Sequence, residues 1–144
     1  MPGDTHHGLL TADGRQPLVA VLDANPSTSA VAVMLAGQFG CRTLGVQSVE
    51  ALLKLLKGES TIDLVLIDFG IGDMDPMVAA QLIRTLGLRG AMPLVGIASR
   101  SADPADSRAR GLFAATVTKP YSPRELYAAL DKSLVALAET AMSP

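Results

Sequence analysis

Several features are scarce in this sequence, and each absence narrows the function. The 144 residues include no tryptophan, 3% aromatic residues and one cysteine, Cys41. A single cysteine excludes an internal disulfide and fits a reducing compartment, so we expect a cytoplasmic protein in which Cys41 is a small buried side chain. No apolar run approaches the roughly 18 residues that a membrane-spanning helix needs, and we expect no membrane partner.

Neither sign of charge dominates. The net charge is −2, from 12 basic and 14 acidic residues, so no basic surface indicates direct binding of nucleic acid. The first sixteen residues, MPGDTHHGLLTADGRQ, are polar and lack the basic and apolar regions of a secretion signal. We expect residues 1–16 to be a flexible tail and residues 17–142 to form one domain. The adjacent His6 and His7 lie in this tail, without further ligands that would indicate a metal site.

Apolar runs alternate with helix-period segments from Pro17 onward. The predicted strands are PLVAVLD, RTLGV, DLVLID, PLVGIA and ATVT. Each is followed by a polar residue that can cap a helix, and these residues are Asn25, Ser48, Asp75, Asp103 and Ser122. The buried stripes predicted for three of the helices are Val31, Met34, Leu35 and Phe39; Val78, Leu82, Ile83 and Leu86; and Leu126, Leu130, Leu134 and Leu137.

Strand and helix units in alternation predict a parallel sheet with helices on both faces. In such a sheet, ligands bind outside the carboxyl ends of the strands. With a strand order of 2-1-3-4-5, Asp23 after the first strand, Asp68 after the third and Lys119 after the fifth converge at one edge. Asp73 and Asp75 follow in the loop after Asp68, where Asp75 before Pro76 is typical of a helix cap.

The stretches VLDANP, LVLIDFGIGDMDP and TVTKPY, in this order, resemble the receiver domain of bacterial two-component response regulators. The resemblance runs from about Pro17 to Met142. It implies the flavodoxin-like (CheY-like) α/β fold, a five-stranded parallel sheet of order 2-1-3-4-5 with helices on both faces. It further implies that Asp68 accepts a phosphoryl group, that Lys119 contacts this phosphate, and that a cis peptide joins Lys119 to Pro120.

The resemblance also implies a cofactor and partners. Mg²⁺ would be held by Asp23, Asp68 and the backbone carbonyl of Gly70. The partners would be a histidine kinase or phosphotransfer protein, an output domain or partner protein, and a second copy in a homodimer. The sequence leaves open whether the chain is a stand-alone regulator or a piece of a larger one.

Three positions depart from the receiver pattern. Ala24 stands where the direct metal ligand is expected, so Mg²⁺ binding should be weak. Ala98 replaces a hydroxyl residue at the end of the fourth strand, with Ser99 one position later, and Thr116 stands near the position of an aromatic residue. Two functions therefore remain open: a receiver phosphorylated on Asp68, and a pseudo-receiver that works through protein binding without phosphate.

An enzyme on the same fold is not expected. A flavodoxin needs a glycine-containing phosphate loop after the first strand and usually aromatic rings for the flavin. A haloacid-dehalogenase-type phosphatase needs a second aspartate two residues after its nucleophile, where this chain has Gly70.

Overall fold

Five short strands form one parallel sheet, as predicted. The computed structural model describes residues 8–58, 61–71, 74–86, 92–99 and 111–142. The strands are Leu18–Leu22 (β1), Arg42–Val46 (β2), Leu64–Asp68 (β3), Leu94–Ala98 (β4) and Ala115–Thr118 (β5). Their order in the sheet is β2-β1-β3-β4-β5, which confirms the predicted order.

Helices cover both faces of the sheet. In the described part of the chain they are Pro26–Gln38 (α1), Val49–Lys57 (α2), Pro76–Leu86 (α3) and Pro123–Met142 (α4). α1 and α4 pack on one face, and α2 and α3 pack on the other. Every residue of β1, β3 and β4 is consequently buried, which accounts for the mean hydropathy of +0.33. None of the described helices has the length and apolar character needed to cross a membrane.

The predicted caps start the described helices. Asn25 Oδ1 accepts a hydrogen bond from the Ser27 amide (2.8 Å), and Ser48 Oγ accepts one from the Ala51 amide (3.1 Å). Asp75 Oδ1 accepts from the Met77 amide (2.7 Å), which confirms its role as a cap. Ser122 and Glu125 form the reciprocal capping box, with bonds of 3.1 and 2.9 Å. The helix predicted at Asp103 and Pro104, and also Asp73, lie outside the described residues.

The buried stripe predicted for α1 is partly wrong. Leu35 is buried, but Val31 and Met34 are 46% and 52% exposed. Ala32 and Ala36 face the sheet in their place, with 1% and 0% exposure. Small side chains let a helix lie close to the strands beneath it, so α1 presents its alanines inward and larger apolar residues outward.

Of the buried stripes predicted for α3 and α4, the first is partly wrong and the second is confirmed where its side chains are described. In α3, Ile83 is buried as predicted, whereas Val78 is 46% exposed and smaller neighbours are buried in its place. In α4, the predicted Leu126, Leu130 and Leu134 are buried. The side chains of Leu86 and Leu137 lie outside the description.

The segment before β1 differs from the loose tail that we expected, as far as it is described. Leu9 is 4% exposed and packs with α1 and α4, and its amide donates to the Phe39 carbonyl (2.8 Å). Gly40, with φ of +93°, comes so close that a Cβ there would lie 3.1 Å from the Gly8 Cα. This stretch therefore belongs to the folded unit, which begins before Pro17 and before the first strand, Leu18–Leu22.

Asp63 ties the start of β1 to the start of β3. The carboxylate is 4% exposed, and its Oδ2 accepts a hydrogen bond from the Leu18 amide at 2.8 Å. Its Oδ1 pairs with Arg15 Nη2 at 3.3 Å. Cys41 is buried as predicted, and burial, with a smaller contribution from the charge of Asp63, raises the pKa of its thiol to about 11.

Substituting Asp63→Ala should lower the free energy of unfolding by about 1–3 kcal/mol, because the buried Leu18 amide loses its acceptor. Urea unfolding monitored by circular dichroism measures this change. Glu50→Ala is the control, since the Glu50–Lys54 ion pair is 81% and 76% exposed and should contribute little. Equal unfolding midpoints for the two variants would contradict the conclusion that Asp63 stabilises the start of β1.

Candidate functional site at the carboxyl edge of the sheet

Two acids and one lysine meet at the carboxyl edge of the sheet. Asp23 follows β1, Asp68 ends β3, and Lys119 follows β5. The two carboxylates are 4% and 5% exposed, and the Lys119 side chain is 32% exposed. The predicted convergence of these three residues in one crevice is therefore found.

Asp68 is held by its own turn and by Lys119. Its Oδ1 accepts a hydrogen bond from the Gly70 amide at 2.7 Å. Its Oδ2 is buried, accepts no hydrogen bond from the described residues, and forms an ion pair with Lys119 Nζ. A buried carboxylate is costly unless a charge compensates it, so Lys119 supplies the counter-charge that Asp68 needs.

The backbone around Lys119 fixes where the ammonium lies. The Lys119 amide donates to the Ala98 carbonyl at 2.8 Å, which ties the end of β5 to the end of β4. The Lys119–Pro120 peptide is cis, as the resemblance implied. Because β4 lies between β3 and β5, the lysine side chain crosses the end of β4 to reach Asp68. Ala98, fully buried at that end, offers a methyl group where a hydroxyl was expected, and Ser99 is exposed.

Both carboxylate oxygens of Asp23 accept hydrogen bonds from residues close in sequence. Its Oδ1 accepts from the Asn25 amide at 2.9 Å, and its Oδ2 accepts from the Thr28 hydroxyl at 2.5 Å. The contact with Thr28 was not predicted from the sequence. The signal in the sequence is a threonine in the turn that directly follows a strand-end acid, where its hydroxyl can reach back.

The charges of Asp68 and Asp23 both act on the hydroxyl group of Tyr121. Burial raises the pKa of its hydroxyl, and the negative charges of Asp68 and then Asp23 raise it further. Both carboxylates therefore act on one phenol, which remains protonated at neutral pH. Tyr121, the last residue of the TVTKPY stretch, is therefore an additional residue of the crevice.

Phe69 anchors the residue that follows Asp68. A Cβ at Gly96 would lie 2.6 Å from the Phe69 ring, so the ring rests directly on the backbone of β4. The ring also packs against Phe113, with centroids 5.2 Å apart. Thr116, near the position where the family pattern has an aromatic residue, is exposed beside Gly96. This aromatic packing was not predicted, because it requires a glycine on a neighbouring strand.

A magnesium ion does not fit this arrangement. Mg²⁺ in proteins takes octahedral oxygen ligands, usually one or two carboxylates with waters or phosphates. Here each carboxylate oxygen of Asp23 and Asp68 already faces a donor, and the alanine at position 24 adds none. Within the described ranges, no group of three or more acidic, histidine or cysteine side chains is arranged to hold a metal. The predicted set of Asp23, Asp68 and Gly70 is thus incomplete.

Comparison with solved structures shows the receiver fold. The chain is similar to the signal receiver domain of an HD domain-containing protein from Pseudomonas fluorescens Pf-5, with a TM-score of 0.77, 16% identity, and coverage of 90% of this chain and 95% of that chain. It is also similar to a CheY-like response regulator receiver domain protein from Methanospirillum hungatei JF-1, with a TM-score of 0.76, 14% identity, and coverage of 87% and 98%.

A longer neighbour is NtrX from Brucella abortus in complex with ADP, with a TM-score of 0.79, 16% identity, and coverage of 88% of this chain and 29% of that chain. No family model matches the sequence, and no curated protein matches it. The chain thus has the flavodoxin-like fold of CheY-like receiver domains, as the resemblance implied.

Substituting Ala24→Asp should create Mg²⁺ binding, because it adds a third carboxylate beside Asp23 and Asp68. Titration calorimetry with millimolar MgCl₂ measures this binding. Ala24→Asn is the matched control, since it adds a polar side chain of the same size without charge and should bind no better than wild type. Saturable Mg²⁺ binding by the wild-type protein would contradict the conclusion that Asp23, Asp68 and Gly70 form an incomplete metal site.

Proposed function

We propose that this chain is a receiver-type signalling module in which Asp68 accepts a phosphoryl group from a histidine kinase or phosphotransfer protein. The observation that carries the proposal is the buried Asp68–Lys119 ion pair at the carboxyl edge of a receiver fold. A carboxylate and an ammonium in this arrangement supply a nucleophile and a fixed positive charge for an anionic donor.

The step follows from the contacts of Asp68. Its Oδ2 attacks the phosphorus of a phosphohistidine, the P–N bond breaks, and the electron pair returns to the imidazole, which takes up a proton. The product is an acyl phosphate on Asp68. Lys119 moves from the carboxylate to the phosphoryl oxygens and offsets part of their charge. Gly70 supplies the amide that holds the second carboxylate oxygen in place.

Phosphorylation would change the charge balance of the crevice. The group adds roughly −1.5 to −2 charge at neutral pH, whereas Lys119 supplies one positive charge. Tyr121 and the Asp23–Thr28 pair, which adjoin the same crevice, would have to adjust to the added charge. A change of this kind is one that an output domain or partner protein can recognise in the cytoplasm.

A second candidate is a pseudo-receiver whose state is set by protein binding. The observation that favours it is that the Asp23 carboxylate is satisfied by Asn25 and Thr28 while Ala24 contributes no ligand. A crevice closed in this way keeps its shape without a phosphate or a metal. In either case we expect no catalytic turnover of a small-molecule substrate.

Incubation with a small phosphodonor such as phosphoramidate, followed by intact-mass spectrometry, separates the two candidates. The wild-type protein should gain the mass of one phosphoryl group, and Asp68→Asn should gain none. Asp75→Asn is the control, because Asp75 is the neighbouring acid and an asparagine keeps its helix cap. Phosphorylation of the Asp68→Asn variant would contradict the role of Asp68. If the wild-type protein stays unmodified both with and without Mg²⁺, the phosphorylated receiver is contradicted and the pseudo-receiver is the candidate that stands.

A further inference from the structure

Thr28 makes the shorter of the two hydrogen bonds to the Asp23 carboxylate. Its hydroxyl donates to Asp23 Oδ2 at 2.5 Å, whereas the Asn25 amide donates to Oδ1 at 2.9 Å. The same hydroxyl lies 3.3 Å from the Asn25 carbonyl, the kind of acceptor that a threonine in a helix often uses. Hydrogen bonds to a charged acceptor are shorter and stronger than those to a neutral one. The hydroxyl of Thr28 is therefore directed to the carboxylate.

Of the three consecutive hydroxyl residues at the start of α1, Thr28 is the one that contacts Asp23. Ser27 is exposed, and its amide donates to Asn25 Oδ1 at 2.8 Å. Ser29 lies toward β2. The contact with Asp23 thus depends on the position of one hydroxyl group and is not a general property of a polar first turn.

The backbone around this contact fixes both partners. The Asp23 amide donates to the Val46 carbonyl at 3.0 Å, which ties the end of β1 to the end of β2. Helix α1 lies against β2, since a Cβ at Gly45 would lie 3.6 Å from Ser29 Oγ. The packing of α1 against the sheet therefore holds the Thr28 hydroxyl beside Asp23.

Asp23 has little room for a further partner. The residue is 4% exposed, and a cation that approached Oδ2 would have to displace the hydroxyl of Thr28 or share the oxygen with it. Hydrogen bonds to the charged form of a carboxylate stabilise it, as a nearby positive charge does. Thr28 therefore gives Asp23 part of the compensation that a bound cation would otherwise supply.

We propose that Thr28 determines whether the crevice binds a divalent cation, and that its hydroxyl and the Lys119 ammonium together take the place of that cation. Lys119 compensates Asp68, and Thr28 compensates Asp23. Mg²⁺ gives up its bound water reluctantly, so it competes poorly for carboxylates that already have partners. Ala24 is then one of two causes of weak Mg²⁺ binding, and Thr28 is the other. Thr28 has this effect whether or not Asp68 accepts a phosphoryl group.

The crevice should consequently respond to anionic groups and not to the concentration of Mg²⁺. An anion can compete with Asp68 for the Lys119 ammonium, whereas a cation meets two carboxylates that are already compensated. A ligand raises the unfolding temperature only if it binds the folded protein. The wild-type protein should therefore unfold at the same temperature in millimolar MgCl₂ and in EDTA.

The test compares variants that all carry Ala24→Asp, which supplies a third carboxylate. Added to it, Thr28→Val removes the hydroxyl and keeps the branched shape of the side chain, whereas Thr28→Ser keeps the hydroxyl. Titration calorimetry with MgCl₂ should give an affinity at least about tenfold higher for the valine variant than for the serine variant, because Asp23 has lost a hydrogen bond that competes with the ion. Ser27→Ala, added to Ala24→Asp, is the control for loss of a hydroxyl from the same turn and should leave the affinity unchanged.

Equal Mg²⁺ affinities of the valine and serine variants would overturn the proposal, and so would a lack of Mg²⁺ binding by both. Circular dichroism should show that all variants are folded. Thermal unfolding is the second readout, in which Mg²⁺ should raise the unfolding temperature more for the valine variant than for the serine variant. A higher unfolding temperature of the wild-type protein in Mg²⁺ than in EDTA would also overturn the proposal.

Discussion

The ion pair between Asp68 and Lys119 is the contact on which the crevice depends. Its two residues come from strands that are not neighbours, so only the observed sheet order, with the lysine crossing the end of β4, brings them together. A carboxylate with 5% exposure requires a compensating charge, and its Oδ2 has no other partner among the described residues. The strands position the pair, and the pair in turn joins the ends of β3 and β5.

The crevice balances its charges from within the chain. Asn25 and Thr28 satisfy Asp23, and Lys119 satisfies Asp68, while an alanine occupies the position of the expected metal ligand. Any group that enters must therefore displace Lys119 or Thr28 from its carboxylate. Under either proposed function, such a site would change state through competition for the Lys119 ammonium, by a phosphoryl group in one case and by a residue of a bound protein in the other.

Strand ends and helix caps could be predicted from the sequence because they depend on short local patterns. The apolar run that ends at Asp68 and the capping box at Ser122 are of this kind. The contact of Thr28 with Asp23 and the outward position of Met34 were not predicted, because both depend on how α1 is rotated against the sheet. Helical period gives a stripe but does not tell whether leucines or alanines face the strands. The packing of Phe69 depends on a glycine in another strand.

A double-mutant cycle on unfolding free energy tests the central ion pair most directly. The variants are Asp68→Asn, Lys119→Met and their combination, each unfolded in urea. If the two side chains compensate each other in the folded protein, the double variant should be more stable than the sum of the single losses predicts, with a coupling of about 1–3 kcal/mol. Additive losses, with no coupling, would show that Lys119 does not neutralise Asp68 in solution.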